Sequence, residues 1–368
     1  MKLRITASKM LEALNIVNRV RGSRSLIPIL DCVLMQGRGQ RLILSRTNLT
    51  LEITTRIDLD YPWDSEKGLL APADSLTKLF SRFSPDQEVD IEKSGEHLLI
   101  KTSYGQYKFS TMAADEFPRL RGHSPEHEFA VGPERFGQDV KKTAFCVSDD
   151  QSRPALQGIC WRIAGESFMS ATDGHVLSQT QRDDSPMLEE TEVIVPVYSM
   201  MTAAQISENS KEFFVTFGDR HISFRSDSTE IASSLIEGPY PNVNQVIPRG
   251  SDKTVIMDRQ PLIDAIQRLA ISSDDLTHRL HCLIEDNHIM LSSEHSASGK
   301  TGNESIDCEL AGEKIEIDFN LLYMLDVLKH IDTQKVQIEL ESFVSPTIFR
   351  PVNNTDYFYL LMPLRPDV

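Results

Sequence analysis

Leu3-Arg4-Ile5-Thr6, a short strand pattern, runs straight into apolar residues three and four apart at Met10, Leu11, Leu14 and Val17. The same switch returns at Glu128-Phe129-Ala130-Val131 before Phe136 and Val140. It returns again at Thr254-Val255-Ile256-Met257 before Leu262, Ile263, Ile266 and Leu269. The openings lie about 125 residues apart, which marks an internal repeat. Ser8, Pro133 and Pro261 suit helix starts, where a side-chain acceptor or a missing N–H does least harm.

A second strand-to-helix unit sits midway through each repeat. Leu69-Leu70-Ala71-Pro72 precedes Leu76, Leu79 and Phe80; Val193-Ile194-Val195-Pro196 precedes Met200, Met201 and Ala204. Glu316-Ile317-Asp318-Phe319 precedes Leu322, Leu325, Val327 and Leu328. The turns Phe117-Pro118-Arg119-Leu120 and Tyr240-Pro241-Asn242-Val243 close the first two repeats. Stretches such as His97-Leu98-Leu99-Ile100-Lys101 and Val336-Gln337-Ile338-Glu339-Leu340 alternate between turn residues, as antiparallel strands do. The expected fold class is α+β, with three repeated domains of two helices on antiparallel sheets and an internal duplication in each. Polar, turn-rich segments at His123-Ser124-Pro125-Glu126 and Arg249-Gly250-Ser251-Asp252 place the domains at 1–124, 125–250 and 251–368.

With 368 residues, 40% hydrophobic and 25% charged, the chain has the composition of a multi-domain soluble protein. No apolar run approaches the roughly 20 residues a bilayer span needs, and the N-terminal residues lack a secretory signal pattern. A cytoplasmic protein without membrane partners is expected. Cys32, Cys146, Cys160, Cys282 and Cys308 are scattered and odd in number, so they read as buried thiols rather than disulfides or zinc ligands.

The net charge of -16 argues against an ordinary nucleic-acid binder. Its distribution is uneven. The helices expected at 8–19, 74–83, 133–144, 198–207, 258–270 and 319–330 hold ten basic and seven acidic residues, leaving -19 on the rest. Helices sharing one surface would present a mildly positive lining on an acidic body.

Catalytic signatures are missing. The sequence contains no phosphate-cradling glycine motif, no H-E-x-x-H and no G-x-S-x-G. His278, His281, His288 and His295 read as surface or loop residues, and no cofactor is expected. In Ala171-Thr172-Asp173-Gly174-His175, Asp173 could orient His175 as a base for Ser178. A tight Asp-Gly turn with no nucleophile is the simpler reading.

That motif belongs to a set. Together with Ser25-Leu26-Ile27-Pro28-Ile29-Leu30, Glu237-Gly238-Pro239-Tyr240-Pro241, Asn320-Leu321-Leu322-Tyr323-Met324-Leu325-Asp326-Val327-Leu328 and Tyr359-Leu360-Leu361-Met362-Pro363-Leu364-Arg365, it resembles the bacterial DNA polymerase III beta subunit family along nearly the whole chain. The resemblance implies three DNA-clamp domains per copy and a head-to-tail homodimeric ring threaded on duplex DNA, with helices lining the hole. It implies a non-catalytic processivity factor that binds the polymerase III alpha subunit, the clamp loader, and other polymerases and repair proteins through short peptide motifs.

The family's peptide pocket maps to Leu156, Thr172, Gly174, His175, Val176, Leu177, Pro241, Val246, Val344, Pro346, Leu360, Met362, Pro363, Leu364 and Arg365. The residues expected at DNA are Arg24, Lys78, Arg82, Lys141 and Lys142, and those at the subunit contact are Tyr107, Phe109 and Ile271. Val176 stands where the family often has arginine, Pro346 where it often has serine, and Pro366-Asp367-Val368 extend past a common ending. Asp150, Pro154, Ala155 and Tyr198 replace family DNA contacts. The competing classes are a hydrolase built on Asp173 and His175, and a three-repeat peptide-binding scaffold that never meets DNA.

Overall fold

In a computed structural model of the chain, the strand-to-helix switch occurs six times among the described residues, and three strands follow each helix. The structure describes residues 2–20, 27–63, 65–120, 127–163, 167–182 and 191–365. Arg24, the boundary at 123–126 and the terminal 366–368 lie outside them.

The first unit is β1 (Lys2–Thr6), α1 (Ala7–Val17), β2 (Cys32–Arg38), β3 (Arg41–Thr47) and β4 (Leu51–Asp58). The second is β5 (Ser65–Pro72), α2 (Ala73–Phe80), β6 (Glu88–Ser94), β7 (His97–Lys101) and β8 (Gln106–Ser110). The third is β9 (His127–Ala130), α3 (Pro133–Ala144), β10 (Gly158–Ile163), β11 (Ser167–Thr172) and β12 (Val176–Arg182). The fourth is β13 (Thr191–Pro196), α4 (Val197–Ser207), β14 (Phe214–Phe217), β15 (His221–Arg225) and β16 (Thr229–Ser234). The fifth is β17 (Lys253–Asp258), α5 (Arg259–Leu269), β18 (Arg279–Glu285), β19 (His288–His295) and β20 (Lys300–Asp307), with a short extra strand β21 (Glu309–Ala311). The sixth is β22 (Ile315–Asn320), α6 (Leu321–His330), β23 (Lys335–Leu340), β24 (Thr347–Pro351) and β25 (Tyr357–Leu361).

Helix starts differ from the sequence reading in two places. Thr6, not Ser8, is the N-terminal flanking residue of α1, and Ser8 lies within the first turn. Pro261 is the third residue of α5, still within the turn whose N–H groups have no helical partner. Pro133 opens α3 as expected.

Every paired strand runs antiparallel to its neighbour. The described strands form two sheets of four, β1-β6-β7-β8 and β20-β19-β18-β22, and two long ones. The eight-stranded sheet runs β5-β2-β3-β4-β16-β15-β14-β9, and the nine-stranded sheet β13-β10-β11-β12-β25-β24-β23-β17-β21. Each long sheet therefore crosses a repeat boundary, through β4 against β16 and through β12 against β25. For that reason the contacts group the chain into two compact units, 1–137 with 198–235 and 138–197 with 236–368. One antiparallel ladder at each boundary holds more backbone hydrogen bonds than a loose linker could.

The apolar periodicity explains the cores. Met10, Leu14 and Val17 of α1, and Leu76 and Phe80 of α2, are buried beneath their sheets, as are Leu262, Ile266 and Leu269 of α5. Arg259 seals the C-terminus of α6 by donating to the Leu328 carbonyl at 3.1 Å. At the other end of α6, the Asn320 carboxamide accepts from the Leu322 and Tyr323 N–H groups, which fixes where Tyr323 points.

Candidate functional site

The Thr172–Val176 turn is built by its own side chains. Asp173 Oδ1 accepts from the N–H groups of His175 at 2.7 Å and Val176 at 2.9 Å. Thr172 Oγ1 accepts from Gly174 N at 3.0 Å and donates to the Val176 carbonyl at 2.7 Å. Gly174 has φ 98°, a left-handed conformation that an L side chain resists. Asp173 is thus committed to the backbone, and its nearest approach to His175 Nδ1 is 3.9 Å. Ser178 is fully buried and its hydroxyl donates to the Lys142 carbonyl at 2.8 Å. The hydrolase reading has no free nucleophile here.

The turn projects His175 outward, where its exposed ring stacks on Tyr323 with centroids 5.6 Å apart and planes 12° from parallel. Burial pushes the Tyr323 phenol up to about 12, aided by the neighbouring Asp173 carboxylate. The His175 carbonyl accepts from Met362 N at 2.8 Å, and the Asp318 carbonyl from Leu364 N at 2.8 Å. These two bonds hold the segment after β25 beside the turn.

Beneath them, Leu156, Leu177 and Leu360 join Cys160, Phe168, Ile194, Tyr240 and Val243 in one buried cluster. Leu177 and Leu360 are opposite partners on β12 and β25. Leu156 arrives on a short 3-10 turn, Pro154–Gln157. Around this floor, Pro241 and Arg365 are exposed and Val246, Val344 and Met362 are 47%, 54% and 37% exposed. Pro346, Pro363 and Leu364 are half-buried.

One expectation needs correction. Leu177 and Leu360, assigned to a pocket that a partner peptide would touch, are each only 2% exposed, and Val176 and Leu156 are also interior. Leu177 and Leu360 turn into one core cluster as cross-strand partners, whereas Val176, the preceding residue of β12, is buried on the opposite face and Leu156 enters the cluster from its 3-10 turn. The side chains left at the surface around this floor are those of Pro241, Val246, Val344 and Met362, with the stacked His175 and Tyr323 beside them. Tyr240 and Tyr323 were absent from the residues assigned to the pocket. Both stand in segments that carry the resemblance, and Tyr240 fixes the turn by accepting from Thr172 N at 3.1 Å.

The cations divide. Lys78, Arg82 and Lys141 are exposed. Lys142 is not available in the same way, because its ammonium lies 3.0 Å from Asp332 and 3.8 Å from the Tyr357 ring centroid. Asp150 holds the Ser152 N–H and hydroxyl and pairs with Arg153, which lowers its carboxyl to about 2. The Tyr198 hydroxyl donates to the Arg19 carbonyl. Tyr107 and Phe109 lie on β8, the last strand of its sheet, and Ile271, 75% exposed, follows α5. Among the described residues no His, Cys, Asp or Glu group could hold a metal ion, and no helix is long and apolar enough to cross a membrane.

Three family matches cover almost all of the sequence. They are the DNA polymerase III beta subunit N-terminal domain over residues 1–121, its central domain over 130–242 and its C-terminal domain over 244–365. The chain belongs to the DNA polymerase III beta subunit family. A beta sliding clamp from Pseudomonas aeruginosa is 29% identical over 369 residues, covering 99% of this chain and 100% of that protein. One from Synechococcus elongatus is 28% identical, covering 99% of each. Among solved structures, a sliding clamp from Pseudomonas aeruginosa bound to griselimycin superimposes with a TM-score of 0.95 at 27% identity, with full coverage of both chains. The chain accordingly has three clamp-type α+β domains and serves as a sliding clamp, the non-catalytic processivity subunit of a DNA polymerase.

Proposed function

We propose that two copies close head to tail into a ring around duplex DNA, with domains at 1–124, 125–250 and 251–368. The pocket framed by His175, Tyr323, Val344 and Met362 then takes short peptide segments from the polymerase III alpha subunit, the clamp loader, other polymerases and repair proteins. The compartment is the cytoplasm, where chromosome replication proceeds.

The observation that carries the ring is a pairing rule left incomplete. The last strand of the first unit of one domain pairs with the last strand of the second unit of the next: β4 with β16, β12 with β25. By that rule β20 pairs with β8, yet within one chain both are edge strands. Unpaired edges seek partners, and a second copy supplies the missing one.

The rule also specifies register. Glu52 lies opposite Ala232, and Leu177 opposite Leu360. Counting along the equivalent hairpins, which match at Arg38–Arg41 and Glu285–His288 and at Arg225–Glu230 and Lys101–Gln106, sets Thr301 opposite Lys108 and Gly302 opposite Tyr107. Tyr107 then comes to the side of β20 where Ile271 waits. The test is a Lys108→Cys and Thr301→Cys pair, which should give a disulfide-linked, closed species under mild oxidation. That species should stay on nicked circular DNA after loading. A monomer at micromolar concentration overturns the ring, and a cross-linked ring that never retains DNA favours the scaffold reading.

A further inference from the structure

Across the first boundary, Glu52 of β4 lies opposite Ala232 of β16, as Leu177 lies opposite Leu360 across the second. A cleft of about 420 Å³ opens there, lined by Arg38, Glu52, Arg56, Arg119 and Glu230 together with neutral residues. That is the size of a ligand pocket rather than of a water site. Strand alternation puts Glu52, Thr54 and Arg56 on the face of the sheet away from the buried Leu51, Ile53 and Ile57. The apolar face is the one against which α1 buries Met10 and Leu14, so helix and cleft take opposite sides of β4.

The charges in the cleft are unequally committed. Glu52 is buried, and accepts from the Arg119 guanidinium on Oε1 at 2.7 Å and from Leu120 N on Oε2 at 3.0 Å. Arg119 also donates to Gln36 Oε1 at 2.8 Å and Ser45 Oγ at 3.4 Å, which fixes it as part of the wall. Of the lining acids, only Glu230 is left to balance Arg38 and Arg56. It comes no nearer to Arg56 than 3.9 Å, with both side chains 44% exposed, and an ion pair of that kind holds little. Arg38 is exposed, and its side chain has no hydrogen-bond or ion-pair partner among the described residues.

The lining selects chemistry. Two arginines against one loosely held acid make a local excess of positive charge on a chain whose net charge is -16. Guanidinium forks match carboxylates, accepting two parallel hydrogen bonds from each arginine. Gln36, Ile43 and Arg56 sit in one cross-strand row, and Arg38 is two residues beyond Gln36, so the two guanidiniums come from strands on either side of β3. An extended segment with acidic residues at alternate positions presents two carboxylates on one side, about 7 Å apart, and can set one on each arginine. Half-buried Ile43, Leu120 and Ala232 supply apolar ground for the aliphatic stems. Where the second boundary has Leu177 and Leu360, the first has Glu52 and Ala232, so this cleft suits carboxylates and not apolar anchors.

We propose that this cleft is a second docking site, one for an acidic segment of a partner protein. It shares no residue with the pocket beside β12–β25, so it stands or falls apart from that reading. The probe is a labelled eight-residue peptide of alanine and serine with two glutamates at alternate positions, beside a version with two glutamines and a short duplex oligonucleotide. At low salt, wild-type protein should bind the glutamate peptide at least tenfold more tightly than the glutamine one, as two charge-assisted hydrogen bonds would give. Arg38→Gln and Arg56→Gln should each remove most of that difference with circular dichroism unchanged. Arg41→Gln, at an exposed arginine that pairs with Asp58 and does not line the cleft, should keep it. Equal affinities for the two peptides, or no binding of either at millimolar concentration, overturn the site. So does a loss that Arg41→Gln reproduces, because it reports only the charge of the surface. A duplex that displaces the glutamate peptide in an Arg38-dependent way would make the cleft a nucleic-acid contact and overturn the acidic segment as its occupant.

Discussion

Leu177 and Leu360 face each other across the β12–β25 pair, both sealed from solvent, while Met362, two residues further along, stands 37% exposed beside His175. Floor and rim of the pocket therefore answer to different measurements. Met362→Ala removes a surface contact worth about 1–3 kcal/mol to a bound anchor. It should weaken a polymerase-tail peptide roughly tenfold to a hundredfold with no change in melting temperature. Leu177→Ala leaves a cavity in the core and should cost roughly 2–5 kcal/mol of folding stability in addition. Titration and thermal melts of the two single variants separate the effects. Unchanged peptide affinity in Met362→Ala would put the partner site elsewhere.

Charged residues at the unfilled edges should block assembly without unfolding the chain. Phe109→Asp combined with Ile271→Asp leaves two carboxylates where the proposed strand pair would bury them, and an unpaired buried charge is costly. Native mass spectrometry should show monomers, with circular dichroism unchanged. A dimer of undiminished affinity would remove β8 and the post-α5 turn from the contact.

Neighbouring lysines should behave differently. Lys141→Glu reverses an exposed charge and should accelerate loss of the loaded clamp from DNA, more so at low salt. Lys142→Ala should leave retention on nicked circles nearly unchanged but lower the melting temperature, because it breaks the contacts with Asp332 and Tyr357. Equal loss of retention in both would mean that Lys142 leaves Asp332 when DNA enters.

The Asp332 carboxylate carries a pH dependence of its own. Burial pushes it up, but hydrogen bonds from Tyr357 and Lys142 and the Lys142 charge outweigh that and hold it below the ordinary value. A carboxylate depressed in the folded state contributes stability that is complete above the unfolded pKa, about 3.9, and is lost as pH falls through the folded value. Thermal melts from pH 6 down to pH 3 should therefore fall more steeply for the wild type than for Asp332→Asn. Parallel curves would show that the group titrates alike in both states.

The five cysteines are all buried, and burial pushes the Cys146, Cys160 and Cys282 thiols up. A thiol-specific colour reagent should label none of them rapidly in the native protein and all five in denaturant. Fast native labelling would mean that a boundary sheet opens on the reagent's timescale.

Much of this architecture was legible because the repeats are written in periodicity, which local sterics impose wherever strand passes into helix. Met10, Leu14 and Val17 announce the buried face of α1, and Pro133 announces the start of α3. The doubled unit inside each repeat was visible too. What could not be read was depth. Leu177 and Met362 are both apolar letters in segments that carry the resemblance, but Leu177 is paired within the sheet against Leu360 whereas Met362 lies just past the end of β25. Lys141 and Lys142 are likewise identical letters, but adjacent helix positions point about 100° apart, so one meets solvent and the other Tyr357. Arg119 was visible only as part of a turn; its hydrogen bonds need Gln36, Ser45 and Glu52, which the fold brings together from three strands, β2, β3 and β4.

Within one chain, β4–β16 and β12–β25 are each backed by a continuous polypeptide, whereas the proposed β8–β20 joint between copies has only its own ladder and side chains. A ring made this way has a seam whose place is set by connectivity rather than by a weaker surface. Pulling on any point of the closed form loads all its joints, but only the untethered ones can part and let a strand of DNA pass without breaking a covalent bond. Joining Asp367 or Val368 to Met1 of the second copy by a long linker should therefore limit how far one seam swings open and leave the other as the door.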